Sequence, residues 1–118
     1  MKNYNQKIGY WGESIASNYL QEKGYEFVDR NIRTPYGEID LILRLNGITI
    51  FVEVKTRTST RYGYPEEAIT PEKEEHILAS AGHYAEEHEI DFWRIDAVSV
   101  IGKPAGGEQK IVHFEDVL

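Results

Sequence analysis

The dipeptide Asn46-Gly47 stands between two segments rich in apolar residues, Glu38–Leu45 and Ile48–Arg57. Asn-Gly is the most favoured pair for a two-residue β-hairpin turn, because both of its residues tolerate positive φ. Only antiparallel strands can be joined by so short a connection, since parallel strands need a crossover of a dozen residues or more. The two segments are therefore predicted to form an antiparallel hairpin.

Each predicted strand carries one acid inside its apolar run. The two-residue turn fixes the register, which places Asp40 of the first strand opposite Glu53 of the second. The stretch Ile48–Val54 is apolar apart from Thr49 and Glu53, so this strand is predicted to be covered on both faces. Opposed carboxylates repel each other unless a cation compensates, and a hard divalent ion such as Mg²⁺ prefers carboxylate oxygens.

Lys55 lies two residues beyond Glu53 and therefore on the same face of the strand. Its ammonium group could orient or activate an attacking water, or offset negative charge on a phosphate. Glu53 and Lys55 could also be an ordinary solvated pair on the polar face of a strand. The apolar neighbours of Glu53 favour the first interpretation, because a buried acid is costly unless it is paired or bound to a metal.

The rest of the chain alternates helical and extended patterns. Apolar residues at a spacing of three and four predict a helix over residues 5–22, and Gly24 ends it. Thr70 as N-cap and Pro71 predict a second helix that runs to about His88. Further strands are predicted over Tyr25–Arg33, Phe92–Ile101 and Lys110–Phe114. The predicted order is α-β-β-β-α-β-β within a single domain, 1–118.

Composition excludes several classes of protein. The chain has no cysteine, which excludes a disulfide scaffold and any metal site with cysteine ligands. Its four histidines show no zinc-ligand spacing. No apolar run approaches the ~20 residues of a membrane span, and the first residues lack the apolar region of a signal peptide. The sequence thus predicts a soluble, cytoplasmic protein.

The formal net charge of -7 opposes binding to a polyanion at first sight. The charge is uneven, however: residues 1–65 have nine bases and seven acids, whereas residues 66–118 have four bases and thirteen acids. The acids concentrate in and around the second predicted helix. The half of the chain that carries Asp40 and Glu53 is therefore slightly basic, and a nucleic-acid partner is compatible with the sequence.

The motifs Gly37–Ile42 and Phe51–Arg57 together resemble the PD-(D/E)XK nuclease superfamily. More narrowly, the chain resembles the bacterial YraN family of endonuclease-like proteins, which is similar to archaeal Holliday-junction resolvases. Gly9–Ala16 matches the first helix of that family and Trp93–Val98 its late strand. One departure is that Ile39 precedes the aspartate, where the name of the superfamily has proline.

This resemblance implies an α/β, restriction-endonuclease-like fold with a mixed sheet of about five strands flanked by helices. It implies that Asp40, Glu53 and Glu13 hold Mg²⁺ or Mn²⁺, and that Lys55 assists the attacking water. The implied function is hydrolysis of DNA phosphodiesters, with branched or otherwise structured DNA as substrate. Cutting both strands of a symmetric junction would need two sites, which favours a homodimer.

Bases and aromatic residues near the predicted site suit contact with phosphates and stacking on bases. The candidates are Arg33, Arg57, Arg61, Tyr62 and Lys73. They could equally belong to an ordinary polar loop and, for Lys73, to an ion pair within the helix. Glu13 could likewise be an exposed helix residue.

Two other functions remain open at the level of sequence. One is a module with the same fold that binds nucleic acid without cleaving it. The other is a protein-interaction domain that uses the acidic second helix to bind a basic partner. Salt-sensitive DNA binding would separate the first from the second, because phosphate contacts release counterions.

Overall fold

The computed structural model describes residues 3–58 and 70–118. The helices are α1 (Tyr4–Glu22) and α2 (Pro71–Glu87), and the strands are β1 (Glu26–Thr34), β2 (Gly37–Leu45), β3 (Ile48–Arg57), β4 (Trp93–Ile101) and β5 (Lys110–Phe114). The α/β class and the element order α-β-β-β-α-β-β are those predicted, and each boundary lies within one residue of its prediction.

The five strands form one mixed sheet in the order β1-β2-β3-β4-β5. Neighbouring strands are antiparallel except for β3 and β4, which are parallel. The chain between β3 and β4 contains α2, as expected because a parallel pair needs a crossover connection. β3 therefore lies at the centre of the sheet, between a hairpin partner and a crossover partner.

The Asn46-Gly47 turn has the conformation and register predicted for it. Asn46 has φ 50° and Gly47 has φ 79°, both in the left-handed region that this turn requires. Leu45 pairs with Ile48, and the ladder continues in that register through four further residue pairs. The prediction of an antiparallel hairpin between β2 and β3 is confirmed.

The sheet is covered on both faces, each by one helix. On one face α1 contributes Ala16 and Leu20 to a buried cluster that includes Ile50 and Val52 of β3. On the other face α2 contributes Ala81 and Ala85 to a cluster around Phe51, the largest fully buried side chain. β3 is therefore apolar on both faces, which explains its nearly continuous apolar sequence.

Both helices begin at a side-chain cap. The Asn3 side chain accepts the N–H of Gln6, whose own side chain accepts the N–H of Asn3, so that the two form a capping box. At α2 the Thr70 side chain accepts the N–H of Lys73, and Pro71 occupies the first turn. Among the described residues, neither helix is long and apolar enough to cross a membrane.

Candidate functional site

Asp40 and Glu53 meet at the point where the β2–β3 ladder ends. The backbone pairing of β2 with β3 runs as far as Leu41 and Val52, and beyond that pair the Asp40 side chain provides the next hydrogen-bond acceptor for β3. Its Oδ2 atom accepts the backbone N–H of Val54 at 2.8 Å. The predicted register thus brings the two acids together, and Asp40 supplies a side-chain hydrogen bond to the end of the ladder.

Burial and mutual repulsion make it unfavourable for both Asp40 and Glu53 to be ionised. Burial, together with the nearby Glu53 carboxylate, raises the pKa of Asp40 to about 8. Burial also raises the pKa of Glu53, although the Lys73 ammonium group opposes that shift. Two such carboxyl groups cannot both ionise at neutral pH without added positive charge, because like charges in a poorly solvated site destabilise each other.

A local irregularity in β1 faces Asp40. Asn31 has φ 53°, a left-handed conformation that asparagine tolerates better than most residues. The pairs on either side of it, Arg30 with Leu41 and Ile32 with Ile39, place Asn31 opposite Asp40 across the strands. The regular alternation of side chains is interrupted here, so that Asp40 and Asn31 can both direct polar groups to one end of the sheet.

Glu13 reaches the same end of the sheet from α1. Its Oε1 atom accepts hydrogen bonds from Arg30 Nη2 at 3.1 Å and from Asn31 Nδ2 at 2.9 Å. The side chain is only 14% exposed. Its negative charge contributes to the raised pKa of both Asp40 and Glu53. Glu13 is therefore a fixed, half-buried member of the site and not the exposed helix residue of the alternative interpretation.

Gly12 allows α1 to approach β3 this closely. A Cβ atom built at Gly12 would overlap the side chain of Thr56, whereas one at Gly9 would meet nothing within 4 Å. The absence of a side chain at position 12 thus sets the distance between helix and strand. The signal in the sequence was the pattern of small residues around Glu13.

A cleft of about 380 Å³ opens over these groups. Its lining contains all four predicted catalytic residues, which are Glu13, Asp40, Glu53 and Lys55. A second cleft of about 480 Å³ shares Gly9 and Glu13 with the first and adds Glu38. Four residues from α1, β2 and β3 that are distant in sequence therefore line one solvent-accessible cavity.

Lys73 joins the site from α2. Its Nζ atom lies 3.7 Å from Oε1 of Glu53, whose side chain is 13% exposed. Lys73 occupies the first turn of the helix, where its backbone N–H donates to the Thr70 hydroxyl. Of the three residues predicted to contact nucleic acid that the structure describes, Lys73 is the one that contacts a predicted metal ligand.

Arg33 and Arg57, two of the other four predicted nucleic-acid contacts, lie away from the cleft. Arg33 is exposed on β1, opposite Glu38, and Arg57 is half-buried at the end of β3, opposite Ile101. In the part of the chain that the structure describes, neither arginine lines the cleft. Arg61 and Tyr62 lie outside the described residues, so their predicted role stays a prediction.

The donor set at this site suits a hard divalent cation. Asp40 and Glu53 offer carboxylate oxygens that need positive charge. Among the described residues, both hydrogen bonds to Glu13 fall on Oε1, which leaves Oε2 as a third oxygen that could bind a metal. Oxygen donors with room for water ligands are what Mg²⁺ and Mn²⁺ prefer. The residues present therefore fit the metal that the family resemblance implies.

Sequence reasoning missed a second polar cluster, on the α1 side of the sheet. Asp96 of β4 is fully buried, and its oxygens accept hydrogen bonds from three residues. The donors are Arg94 Nε at 2.9 Å, His113 Nε2 at 2.7 Å and the Asp116 N–H at 2.9 Å. These bonds outweigh the effect of burial, and the pKa of Asp96 is lowered from its usual value.

The partners of His113 fix its tautomer. Lys23 Nζ lies 2.8 Å from Nδ1, and an ammonium group can only donate, so Nδ1 is the acceptor and Nε2 carries the proton given to Asp96. Asp96, His113 and Glu115 have ligand atoms within 4.8 Å of one another and could hold a metal ion by proximity. Arg94, however, already donates to both Asp96 and Glu115 and supplies the positive charge. This cluster is a closed ion network.

The one sequence signal for this network is the spacing of Arg94 and Asp96, which share a strand face. His113 joins it through the pairing of β4 with β5, where Val98 lies opposite His113. The loop between these strands is too long to fix that register from sequence. The spacing of the histidines in the sequence therefore gave no sign that His113 lies beside Asp96.

Comparison with known proteins agrees with the resemblance to the YraN family. A family model described as "Uncharacterised protein family UPF0102" matches residues 12–100, which include Glu13, Asp40, Glu53, Lys55 and Lys73. A relative from Syntrophotalea carbinolica is 43% identical over 91% of this chain and 87% of its own length. One from Syntrophomonas wolfei is 43% identical over 93% of this chain and 96% of its own length. A relative from Corynebacterium efficiens is 37% identical over 99% of this chain and 96% of its own length. Each of the three is named a UPF0102 protein, and the chain belongs to this family.

Proposed function

We propose that this protein is a nuclease that hydrolyses DNA phosphodiesters with the help of Mg²⁺ or Mn²⁺. The observation that carries the proposal is the pair of buried, mutually repelling carboxyl groups of Asp40 and Glu53 in the wall of an open cleft. A pair that only supported the fold would be satisfied by donors. Among the described residues, Asp40 accepts one backbone N–H, Glu53 has the Lys73 ammonium at 3.7 Å, and the two acids share a hydrogen bond that requires a proton on one of them. Perturbed acids in a cleft are typical of functional sites.

Glu13, Asp40 and Glu53 would hold the metal. When bound, such an ion polarises a phosphoryl oxygen and makes a water acidic enough to supply hydroxide near neutral pH. Asp40 would bind in its ionised form, so the proton that it keeps at neutral pH must leave for the site to load. Arg30 and Asn31 hold Glu13 in place through Oε1. This arrangement would orient the Oε2 atom, which accepts no hydrogen bond from the described residues, toward the metal.

Lys55 lines the same cleft as the three acids and lies beyond Glu53 on β3. Its ammonium group would donate a hydrogen bond to the attacking water or to a phosphate oxygen. Either contact offsets negative charge as the phosphodiester bond breaks, and the proton released by the water passes to a neighbouring base or to solvent. Lys55 is thus assigned to positioning and charge compensation at the reacting phosphate.

A branched or otherwise structured DNA is the proposed substrate. Support comes from the resemblance to Holliday-junction resolvases and from the slightly basic first half of the chain. Arg33, Arg57, Arg61 and Tyr62 are proposed to contact the DNA outside the reacting phosphate. A homodimer would supply the two sites needed to cut both strands of a symmetric junction.

Cleavage of a panel of DNA structures tests this function. The purified protein is incubated with single-stranded, duplex, flap and four-way-junction DNA in Mg²⁺ or Mn²⁺, beside the variants Asp40→Asn and Glu53→Gln. We expect the wild type to cleave and each variant to lose at least ~100-fold in rate, because charge stabilisation at the reacting phosphate is lost. Glu26→Gln is the matched control, since Glu26 is exposed and pairs only with Arg44 among the described residues.

Each result assigns one function. Identical products from the wild type and both variants would show a contaminating nuclease and end the proposal. Salt-sensitive DNA binding without products would instead identify the non-cleaving module. A failure to bind DNA in any metal would favour the protein-interaction domain that uses α2.

A further inference from the structure

Lys73 is the one non-histidine base in α2, and it is placed against the proposed metal site. The remaining charged residues of the first turn, Glu72 and Glu74, are acids, as the positive end of the helix dipole favours. A lysine at this position is unfavourable for the helix itself. Its position is therefore better explained by what it contacts, which is Glu53.

The contact between Lys73 and Glu53 is long and partly exposed to solvent. The Nζ–Oε1 distance is 3.7 Å, and the Lys73 side chain is 37% exposed. Its backbone is held by the Thr70 cap, so the four-carbon stem can swing while its origin stays fixed over the site. An ammonium with this much solvent access holds the carboxylate while no other cation is present, but it can leave at modest cost when a stronger one competes, since partly exposed ion pairs are weak.

The positive charge next to Glu53 can come either from Lys73 or from a divalent ion. Without a metal, Lys73 supplies the positive charge next to Glu53, with its Nζ atom 3.7 Å from Oε1. A divalent ion would bind the same carboxylate with twice the charge. The ammonium and the ion then compete for Glu53, and once the ion is bound Lys73 becomes available for another anion.

We infer that Lys73 is a built-in counter-ion that the divalent metal displaces from Glu53, and that the freed ammonium then binds a phosphate of the DNA. This inference rests on the proposed function and adds a regulatory step to it: the protein gains a phosphate contact only when its metal is bound. Metal and DNA binding would thereby reinforce each other through one side chain, as reciprocal linkage requires.

The first test measures Mn²⁺ binding by calorimetry without DNA. Lys73→Gln is expected to bind Mn²⁺ roughly threefold to tenfold more tightly than the wild type, because the competing ammonium is gone. Lys73→Arg retains the charge and is expected to behave like the wild type. Arg44→Gln removes one charge at an exposed residue that pairs with Glu26, and it controls for the change in net charge.

The second test separates displacement from simple electrostatics. Affinity for a four-way junction is measured in Ca²⁺, which takes the same oxygen ligands, and again in EDTA. In Ca²⁺, Lys73→Gln should weaken binding and reduce the slope of log K against log salt by ~0.9, the value for one lost phosphate contact. In EDTA it should change neither quantity, because Lys73 is then held by Glu53.

The outcomes distinguish this inference from the proposed function. An equal loss of DNA affinity in Ca²⁺ and in EDTA would show a permanent phosphate contact and overturn the displacement. Unchanged Mn²⁺ affinity in Lys73→Gln, with binding abolished in Glu53→Gln, would overturn the inference and leave the metal site intact. A wild type that binds no Mn²⁺, or binds it as well as Glu53→Gln does, would end both proposals.

Discussion

Asp40 and Asp96 are two aspartates within one sheet, and their environments shift their pKa values in opposite directions. Burial and a neighbouring glutamate raise the pKa of Asp40 to about 8. Burial acts the same way on Asp96, yet hydrogen bonds from His113, Arg94 and the Asp116 N–H bring its pKa below the usual value. A carboxylate can therefore be fully buried in this sheet and stay ionised when hydrogen-bond donors satisfy both of its oxygens.

The two aspartates differ in how many hydrogen bonds the protein donates to their carboxyl oxygens. Each oxygen of Asp96 accepts two hydrogen bonds, one of them from the Arg94 guanidinium. Among the described residues, Asp40 accepts one backbone N–H and lies against a second acid, Glu53, in the wall of a cleft. A closed network stabilises the fold, whereas an open pair of acids leaves capacity for a ligand. For this reason we propose a structural role for Asp96 and a role in metal binding for Asp40.

The largest expected effect concerns stability. Asp96→Asn should lower the free energy of unfolding by ~3 to 5 kcal/mol, because an amide NH₂ replaces an oxygen that faces two donors and Arg94 loses its buried partner. Asp40→Asn should maintain or raise stability at pH 7, because folded Asp40 must keep a proton that the unfolded chain releases, whereas asparagine does not titrate and its amide oxygen can still accept the Val54 N–H. Urea unfolding of both variants in EDTA measures the difference. Equal destabilisation would contradict the contrast between the two sites.

The pH dependence of stability sharpens the same contrast. An unfolded aspartate titrates near 3.8 and folded Asp40 at about 8, so its destabilising effect is absent below pH 3.8, grows as pH rises and is complete above about pH 8. We expect Asp40→Asn to gain on the order of 4 kcal/mol over the wild type between pH 5 and pH 8, since each of these three pH units corresponds to ~1.4 kcal/mol.

Asp96 should behave in the opposite sense. Its lowered pKa contributes stability that is present above pH 3.8 and is lost as pH falls through its folded pKa. Urea titrations from pH 3 to pH 9 in EDTA follow both trends. A difference between Asp40→Asn and the wild type that stays constant across this range would show that Asp40 is an ordinary solvated acid.

The smallest expected effect concerns the helix that spans both regions. Gly12→Ala should destabilise the protein by ~1 kcal/mol, because overlap with Thr56 outweighs the better helix propensity of alanine. Gly9→Ala, with nothing within 4 Å of its new methyl group, should stabilise by a few tenths of a kcal/mol to ~1 kcal/mol. Thermal unfolding and Mn²⁺ affinity measure both variants. Equal responses would show that α1 does not depend on the close approach at Gly12.

Much of the candidate site was predictable from sequence because it depends on local rules. The Asn46-Gly47 turn fixes the register of β2 and β3, and that register brings Asp40 and Glu53 together. The alternation of side chains places Lys55 on the face of Glu53. Glu13 was located by resemblance and by its small neighbours, and the structure adds the hydrogen bonds that hold it.

The sequence by itself determined the class of fold, the central hairpin and its opposed acids, because turn chemistry and strand alternation act over a few residues. Only the tertiary structure decided which donors each acid receives. Arg30 reaches Glu13 across 17 positions, Asp116 reaches Asp96 across 20, and Tyr25 reaches the Arg94 network across 69. Such contacts depend on how helices and sheet pack at distances of a few ångströms, and no local pattern encodes whether a buried carboxylate ends up satisfied or open.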